Sequence, residues 1–346
     1  VPMEPVVLGF DELRQEDAER VGKKCANLGE LTFAGFRVPP GYAVSLEGYS
    51  RFMSETGVRA NIEGYLSSFS ADPSKPGDMP RYDEASVAIR AMVEATPLPA
   101  DIEKEVVERY MTLCEATGVT DLPVAVRSAG PASHPGQYES YLHIRGDSEV
   151  VSAVRRVWSS TFNQRSLIAR ARQGLDVAYD PIGVAVLQMV DAKAAGVMFT
   201  ANPADGDTSK ILIEANWGLG ESVVAGEVTP DSFLIDKASA EIVKRSIATK
   251  KTWFTLDPAT GRPSFQQVPE DKKDAPTLAD EEAREIARVG VRIEEHFGAT
   301  QDVEWAVDSG SSLPDSVMIL QTRPAKHVAE KKNPTDRIID FMLRGL

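Results

Sequence analysis

Residues 21–24 combine a glycine with two lysines just before an apolar stretch of helical spacing. Their sequence is Val-Gly-Lys-Lys, ending at Lys24. Free backbone N–H groups at a helix N-terminus and a mobile ammonium group both suit phosphate. The Walker A pattern GxxxxGK[ST] is absent, and paired lysines before a helix are commonly only solvated. The segment therefore indicates either a phosphate-binding loop or an ordinary exposed turn.

Arg127 stands at the end of an otherwise apolar stretch. Residues 123–128 read Pro-Val-Ala-Val-Arg-Ser, which predicts a buried strand running into a loop. An unpaired buried guanidinium is costly, so Arg127 must reach water, a carboxylate or a bound anion. A phosphate clamp and a salt bridge to an acidic residue both meet this requirement. The loop that follows, residues 130–136, is rich in glycine and proline, and such a loop could lie over a polyphosphate.

Oxygen ligands occur in two successive strand candidates near residue 300. Glu304 lies in the first and Gln321 in the second, and alternation places Asp302 on the face of Glu304. Mg²⁺ prefers carboxylates together with phosphate oxygens, and Arg323 would share the face of Gln321. These residues could instead be exposed polar groups on an edge strand. Their neighbours Trp305 and Leu320 favour a sheet with one buried face.

The histidines and cysteines form no recognisable catalytic or metal-binding pattern. They are His134, His143, His296, His327, Cys25 and Cys114. No histidine lies beside a serine, cysteine or second histidine in a way that suggests a catalytic triad or a metal site, so we interpret all four as structural or surface residues. His134 is the exception to watch, because it lies in the candidate phosphate loop. The absence of CxxC argues against a disulfide scaffold or zinc site and favours a reducing cytoplasm.

Length and charge limit the classes of function. The chain has 346 residues, beyond the size at which single cores stop growing, so two lobes are expected. A net charge of -14 disfavours nucleic acid and anionic membranes as partners. No apolar run is long enough to span a membrane.

Hydrophobic periodicity predicts an α+β chain. Helices are predicted over residues 25–36, 84–95, 102–116, 150–171 and 280–297, and strands over 42–45, 123–128, 181–190, 196–200, 210–215, 231–235, 303–307 and 317–321. Residues 70–81 are predicted to be an exposed loop. The amphipathic tail, 329–346, could pack on its own domain or dock on a partner.

Seven sequence blocks occur in one order between residues 7 and 325. They are VGKKCANLGELTFAGFRVPPG (21–41), VAVRS (124–128), GQYESYL (136–142), VLQMVDAKAAGVMFTANP (186–203), EANWGLGESVVAGEVT (214–229), DVEW (302–305) and LQTRP (320–324). Together they resemble the N-terminal ATP-grasp region of the phosphoenolpyruvate synthase, pyruvate phosphate dikinase and rifampicin phosphotransferase family. The resemblance implies an α+β, two-lobed ATP-grasp fold with the nucleotide in the interlobe cleft. Its lobes would be residues 1–190 and 191–327, with 328–346 as a tail or partner-docking segment.

The resemblance also implies a site for ATP and Mg²⁺. Lys24 matches a lysine on the nucleotide phosphates, Arg127 matches an arginine on the transferred phosphoryl group, and Arg323 matches a second arginine clamp. Glu304 and Gln321 match magnesium and phosphate ligands, and Gln188, Met189 and Val190 match an interlobe hinge at the adenine edge. Gly136 and Ser140 match a loop that approaches the nucleotide, and residues 218–220 match a segment near the ribose. Lys24, Arg127 and Arg323 would be the catalytic cations.

Two departures from the family pattern bear on function. The loop after Arg127 is shorter and lacks an acidic pair, and the first loop reads GKKC in place of GGKG. In addition, neither the family's Thr-Ser-His phosphohistidine motif nor its pyruvate-binding barrel is present in these residues.

We therefore expect a separate phosphohistidine-carrying subunit as partner, as in the phenylphosphate and cresol systems. That subunit would pass phosphate to a phenolic or benzylic acceptor, with release of AMP and phosphate. Two alternatives remain open. The chain could be an excised ATP-binding domain of pyruvate, water dikinase or of a rifampicin phosphotransferase, or it could be a non-catalytic nucleotide-binding regulatory subunit.

Overall fold

The computed structural model describes residues 5–130, 138–224 and 226–325. Their contacts divide the chain into two compact units. The first holds the described residues of Val1–Phe33 and Pro40–Met189, and the second those of Ala34–Pro39 and Val190–Leu346. No helix in the described ranges combines the length and the apolar character needed to cross a membrane.

The segment Ala34–Pro39 belongs to the second unit, whereas the sequence-based division placed it in the first lobe. Polar contacts with residues far away in sequence attach it. The carbonyl of Arg37 accepts a hydrogen bond of 2.7 Å from the Ile319 amide, and the Arg37 side chain forms an ion pair with Asp315. The hydrophobic period along the chain carries no information about such long-range backbone hydrogen bonds. The assignment of this segment to the second unit was therefore not predictable from the sequence.

The first unit combines helices with one antiparallel sheet. Its helices are α1 (Ala18–Val21), α2 (Lys23–Phe33), α3 (Leu46–Glu55), α4 (Val58–Ser67), α5 (Met79–Ala95), α6 (Ala100–Thr117), α7 (Asp147–Ser159) and α8 (Gln164–Gln173). Its strands are β1 (Val7–Gly9), β2 (Gly41–Val44), β3 (Val124–Ala129), β4 (Ser140–Ile144) and β5 (Gly183–Gln188). The helix predicted over 150–171 is in fact two, because a 3-10 turn at Ser160–Phe162 separates α7 from α8.

The sheet of the first unit, in the order β1-β2-β5-β3-β4, has two different faces. Val124 and Val126 of β3 belong to a large apolar core that also contains Trp158. Alternation turns Ala125 and Arg127 to the opposite face, which α1 and α2 cover. Small side chains on that face let the two helices approach closely, so Arg127 lies on the same face as the helix that carries Lys24.

The second unit is built around a larger antiparallel sheet. Its strands are β6 (Ala192–Phe199), β7 (Lys210–Trp217), β8 (Asp231–Asp236), β9 (Ile242–Ser246), β10 (Thr252–Leu256), β11 (Pro263–Gln267), β12 (Gln301–Asp308) and β13 (Val317–Pro324). Its helices are α9 (Glu221–Val224), α10 (Glu270–Lys273) and α11 (Asp280–Phe297). Six strands form the sheet β13-β12-β6-β7-β8-β9, and β10 and β11 form a separate hairpin.

Helix α11 covers one face of the six-stranded sheet. A Cβ at Gly290 of α11 would lie 2.7 Å from the sulfur of Met198 in β6, so Met198 marks the covered face. Val303 of β12 lies opposite Met198, and alternation therefore places Val303 and Trp305 on that same buried face. Leu320 was expected to join them, but Ile319 is the residue opposite Trp305. A bulge between Glu304 and Trp305 causes this difference, since it adds one residue to β13.

Candidate functional site

The turn at Gly22 brings the start of α2 to the end of strand β3. Gly22 has φ +83°, and the amide of Lys23 donates a 3.1 Å hydrogen bond to the carbonyl of Gly130. A Cβ at Gly22 would lie 1.9 Å from the carbonyl oxygen of Ala129. Only glycine permits both this backbone conformation and this approach. The N-terminus of α2 therefore lies just beyond the end of β3 that carries Arg127.

Replacing Gly22 with alanine is expected to destabilise the first unit and to weaken binding at this corner. The change combines positive-φ strain of about 1–3 kcal/mol with a backbone overlap that requires β3 or the turn to move. Gly146→Ala is the matched control, because Gly146 has φ +84° and ψ 148°, close to the φ +83° and ψ 151° of Gly22, while its added Cβ would meet one atom within 4 Å, at 3.9 Å. Thermal unfolding should show the larger loss for Gly22→Ala. Equal losses would mean that the close approach contributes nothing.

Strand β4 places Ser140 directly opposite Arg127. The two residues are partners in the antiparallel register of β3 and β4, so their side chains share one face. Ser140 is exposed and Arg127 is half-buried. The first unit thus brings Lys24, Arg127 and Ser140 to one corner of the sheet. Gly136 and His134 lie outside the described residues.

The second unit places four predicted site residues on the face that α11 leaves uncovered. Glu304 is the register partner of Gln321, and Asp302 is the partner of Arg323. Neighbouring positions on β12 alternate with the buried Trp305, so all four side chains point away from α11. The Arg323 guanidinium lies 3.3 Å from the Asp302 carboxylate, which holds it on this face. The sequence-based expectation of one shared face therefore matches the register.

The pair of Glu304 and Gln321 fits a hard cation that also binds phosphate. The side-chain oxygen of Gln321 is buried and makes no hydrogen bond to the described part of the chain. Such an oxygen beside a carboxylate is a suitable donor for Mg²⁺. Among the described residues, no three His, Cys, Asp or Glu side chains form a group that could hold a metal. A cation here would therefore take its remaining ligands from water or from a bound phosphate.

Glu214 is a residue of this face that the sequence reasoning did not select. It lies opposite Val197, which in turn lies opposite Glu304, so one strand separates the two carboxylates. Their Cα atoms are therefore about 10 Å apart. Burial raises the pKa of the Glu214 carboxyl above its usual value. The signal was present in strand β7, where a glutamate interrupts the apolar run of residues 211–217 as Glu304 interrupts β12.

Because its pKa is raised, Glu214 should make the folded state less stable as the pH rises. The folded protein holds this proton more tightly than the unfolded chain, so stability is lost as pH rises through the folded-state pKa. Glu214→Gln should therefore be more stable than wild type at pH 7, by about 1 kcal/mol. The difference should vanish below the unfolded-state pKa of about 4.3. Urea unfolding across pH tests this, with the exposed Glu295→Gln as control; a pH-independent difference would contradict it.

The glycine segment at residues 218–220 lies on the same face as Glu214 and Glu304. Ala306 lies two residues after Glu304 on β12 and therefore on the same face, and Ala195 of β6 is the register partner of Ala306. A Cβ at Gly220 would lie 3.5 Å from the Cβ of Ala195. The amide of Leu219 donates a 2.8 Å hydrogen bond to the carbonyl of Phe254 in β10. The hairpin of β10 and β11 thus holds this backbone segment beside the carboxylates.

The predicted hinge, residues 188–190, lies where the first unit ends and the second begins. The amide of Gln188 donates to the carbonyl of Pro40, and the amide of Met189 donates to the carbonyl of Pro123, both at 2.9 Å. Two of the three hinge N–H groups are therefore already used within the first unit. Val190 begins the second unit.

The described histidines contact other residues than these groups, whereas Cys25 directly follows Lys24 in α2. His143 accepts a hydrogen bond from Arg145, and His296 packs edge-on against Phe36 and Phe297. Cys25 is buried in α2, and burial raises the pKa of its thiol to about 12, which keeps it protonated.

Comparison with known proteins identifies the family and several relatives of the chain. The model of the family described as "Pyruvate phosphate dikinase, AMP/ATP-binding domain" matches residues 18–340. A probable phosphoenolpyruvate synthase of Methanothermobacter thermautotrophicus is 36% identical over 97% of this chain and 48% of its own length. The phosphoenolpyruvate synthase of Aeropyrum pernix is 34% identical over 99% of this chain and 46% of its own length. A probable phosphoenolpyruvate synthase of Methanocaldococcus jannaschii is 37% identical over 97% of this chain and 28% of its own length.

The chain spans about half the length, or less, of these curated relatives. The family match confirms the α+β ATP-grasp class expected from the sequence blocks, since it extends over nearly the whole described chain. We conclude that the chain belongs to the pyruvate phosphate dikinase family of AMP/ATP-binding domains.

Proposed function

We propose that this chain binds ATP with Mg²⁺ and transfers a phosphoryl group to a histidine on a separate partner subunit. The observation that carries the proposal is the shared face of Glu304, Gln321 and Arg323 in the second unit. Lys24 and Arg127 in the first unit supply the matching cations. A carboxylate, an amide oxygen and a guanidinium group on one face of a sheet suit a polyphosphate with its metal ion.

Charge neutralisation would be the main contribution of these side chains to the reaction. Phosphoryl transfer spreads negative charge over the oxygens of the moving group, and fixed cations stabilise that charge without rearranging. Arg127 would bind the transferred group, Lys24 the adjacent phosphates, and Arg323, oriented by Asp302, the opposite side. When bound between Glu304 and Gln321, Mg²⁺ would neutralise phosphate oxygens.

The adenine and ribose would be bound by backbone groups and by Glu214. The N–H groups of Gln188 and Met189 are already used, so adenine recognition by the hinge falls to carbonyl oxygens and to Val190. The carboxylate of Glu214 faces the same side as Glu304 and could accept hydrogen bonds from ribose hydroxyls. A bound ribose would replace water at this carboxylate.

The acceptor beyond the histidine would be a small hydroxylated molecule bound by the partner. We propose a phenolic or benzylic hydroxyl: one phosphoryl group of ATP reaches it through the histidine and water takes the other, so that AMP and phosphate are released. A second candidate is favoured by the names of the relatives, which are phosphoenolpyruvate synthases. In that case the chain is the ATP-binding part of such an enzyme, and pyruvate is the final acceptor.

The two candidates are separated by offering both acceptors to the same mixture. The chain, the histidine-bearing polypeptide encoded beside it, Mg²⁺ and labelled ATP are incubated with phenol, with a benzylic alcohol or with pyruvate. Label in an aryl or benzyl phosphate supports the first candidate, and label in phosphoenolpyruvate supports the second. ATP binding without transfer to any polypeptide or acceptor would overturn both and favour a regulatory subunit.

A further inference from the structure

Residues 138 and 139, directly before strand β4, are held by two arginine-centred networks. In the first network, Arg90 of α5 donates two hydrogen bonds to the carboxylate of Glu139, at 2.7 and 2.8 Å. The hydroxyl of Tyr141 also donates to Glu139, and the Glu139 amide donates to the hydroxyl of Ser160 at 3.2 Å. The side chain of Glu139 is therefore fixed to α5, and its backbone is fixed to the 3-10 turn at Ser160–Phe162.

The second network holds Tyr138 through Asp180. The hydroxyl of Tyr138 donates to the Asp180 carboxylate, which lies 2.9 Å from Arg170. Arg170 is only 5% exposed and also donates to the carbonyls of Thr161, at 2.7 Å, and Val177, at 3.2 Å. Burial and the charge of Asp180 raise the pKa of Tyr138, so the tyrosine stays protonated as a donor. The guanidinium is thereby fixed to two backbone segments, and Tyr138 is fixed to it.

Strand β4 needs such anchors because it is an edge strand with an irregular register. It pairs only with β3, and a bulge interrupts the pairing between Val124 and Val126. His143, on the bulged side, has φ +57°, which is uncommon for a residue other than glycine. A slip of one residue in a strand reverses every side chain. The pairing of Ser140 with Arg127 therefore depends on what holds the chain just before Ser140.

We propose that Arg90, acting through Glu139, and Arg170, acting through Asp180 and Tyr138, are positioning residues for the corner formed by Arg127 and Ser140. This inference rests on the proposed function, in which Arg127 binds the transferred phosphoryl group. Both arginines bind protein groups in the structure and act on the reaction only through β4. Their contribution should appear in the rate of transfer more than in ATP affinity, because a displaced Arg127 still attracts the anion but no longer matches the transition state.

The test compares Arg90→Ala with Arg51→Ala. Arg51 of α3 also forms short ion pairs and is more buried than Arg90, but the described partners of its guanidinium, Glu55 and Asp101, lie outside residues 138–144. We expect Arg90→Ala to lower the rate of label transfer to the histidine carrier by about 10- to 100-fold. Its dissociation constant for ATP should change less than about threefold, and Arg51→Ala should resemble wild type. Arg90→Lys should recover part of the rate, because one charged donor remains.

A double-substitution cycle and hydrogen exchange make the outcome decisive. If the arginine acts through Glu139, the variant carrying both Arg90→Ala and Glu139→Ala should be no slower than either single variant. Amide exchange over residues 138–144 should quicken in Arg90→Ala and not in Arg51→Ala. Unchanged transfer and unchanged exchange in Arg90→Ala would overturn the inference. If wild type transfers no label, the proposed function fails, and the exchange comparison alone then decides whether Arg90 positions β4.

Discussion

Replacing Arg127 with alanine is expected to lower phosphoryl transfer from ATP by about 10³-fold, the lower range for a cation on a transferred phosphoryl group. Arg127 lies at the end of β3, opposite Ser140 and next to the N-terminus of α2. Its charge would be felt most when the phosphoryl group is between donor and acceptor, so ATP affinity should fall much less than the rate. Single-turnover labelling of the histidine carrier and equilibrium ATP binding measure the two quantities separately.

Arg145→Ala is the matched control for Arg127. Arg145 directly follows strand β4, is exposed and donates a hydrogen bond to His143. It should leave transfer and ATP binding unchanged. Arg127→Lys should recover only part of the rate, because a lysine cannot donate two parallel hydrogen bonds to a phosphate. A transfer rate within about threefold of wild type for Arg127→Ala would contradict the proposed role.

Replacing Glu304 with glutamine is expected to lower the transfer rate by about 10²-fold and to raise the Mg²⁺ concentration needed for half-maximal rate. The substitution keeps the size and shape of the side chain but replaces the charged carboxylate opposite Gln321 with a neutral amide that has one acceptor oxygen. The remaining amide oxygens bind the cation more weakly. A titration of the rate with Mg²⁺ at saturating ATP should therefore shift to higher concentration in the variant.

Glu295→Gln, on the exposed side of α11, provides the control for charge alone. It changes the net charge of the second unit by the same amount without altering β12. Its Mg²⁺ titration should coincide with wild type. If the two glutamine variants behave alike, the cation does not bind at Glu304.

Much of the fold could be predicted from the sequence where one hydrophobic period continues along a whole helix or strand. Helix α11, at Asp280–Phe297, has the predicted bounds, because its apolar positions recur at helical spacing and Gly298 ends it with a positive φ. Strand β3 lies within one residue of its prediction, since an apolar run with β-branched residues precedes Arg127. The loop predicted over 70–81 ends earlier than expected, because a 3-10 turn at Pro76–Asp78 leads into α5 at Met79.

Elements without a clear hydrophobic period were missed. Strand β4 has mixed polarity because it is an edge strand, and its side chains divide between the apolar core and the face of Arg127. The hairpin of β10 and β11 is half-exposed and contains prolines and polar residues near its turn, so it has no clear period. Backbone pairing with a neighbouring strand defines both elements, and such pairing does not require an apolar pattern.

The candidate site could be predicted where it depends on the alternation of side chains along a single strand. Alternation along β12 and β13 placed Glu304 and Arg323 on one face, and the register agrees. The bulge at Leu320 could not be read from that alternation, and Ile319 therefore took its expected place. Glu214 was missed because its relation to Glu304 passes through an intervening strand, which only the sheet order reveals.

The central claim is that this chain passes phosphate from ATP to a histidine on another polypeptide. The direct measurement is to incubate the chain with that polypeptide, Mg²⁺ and ATP labelled at the β- or γ-phosphate, and to assay acid-labile label on the polypeptide. We predict label that requires Mg²⁺, is lost when the acceptor histidine is replaced, and falls in Arg127→Ala and Glu304→Gln. Measurable ATP binding with no label on the polypeptide would contradict the claim.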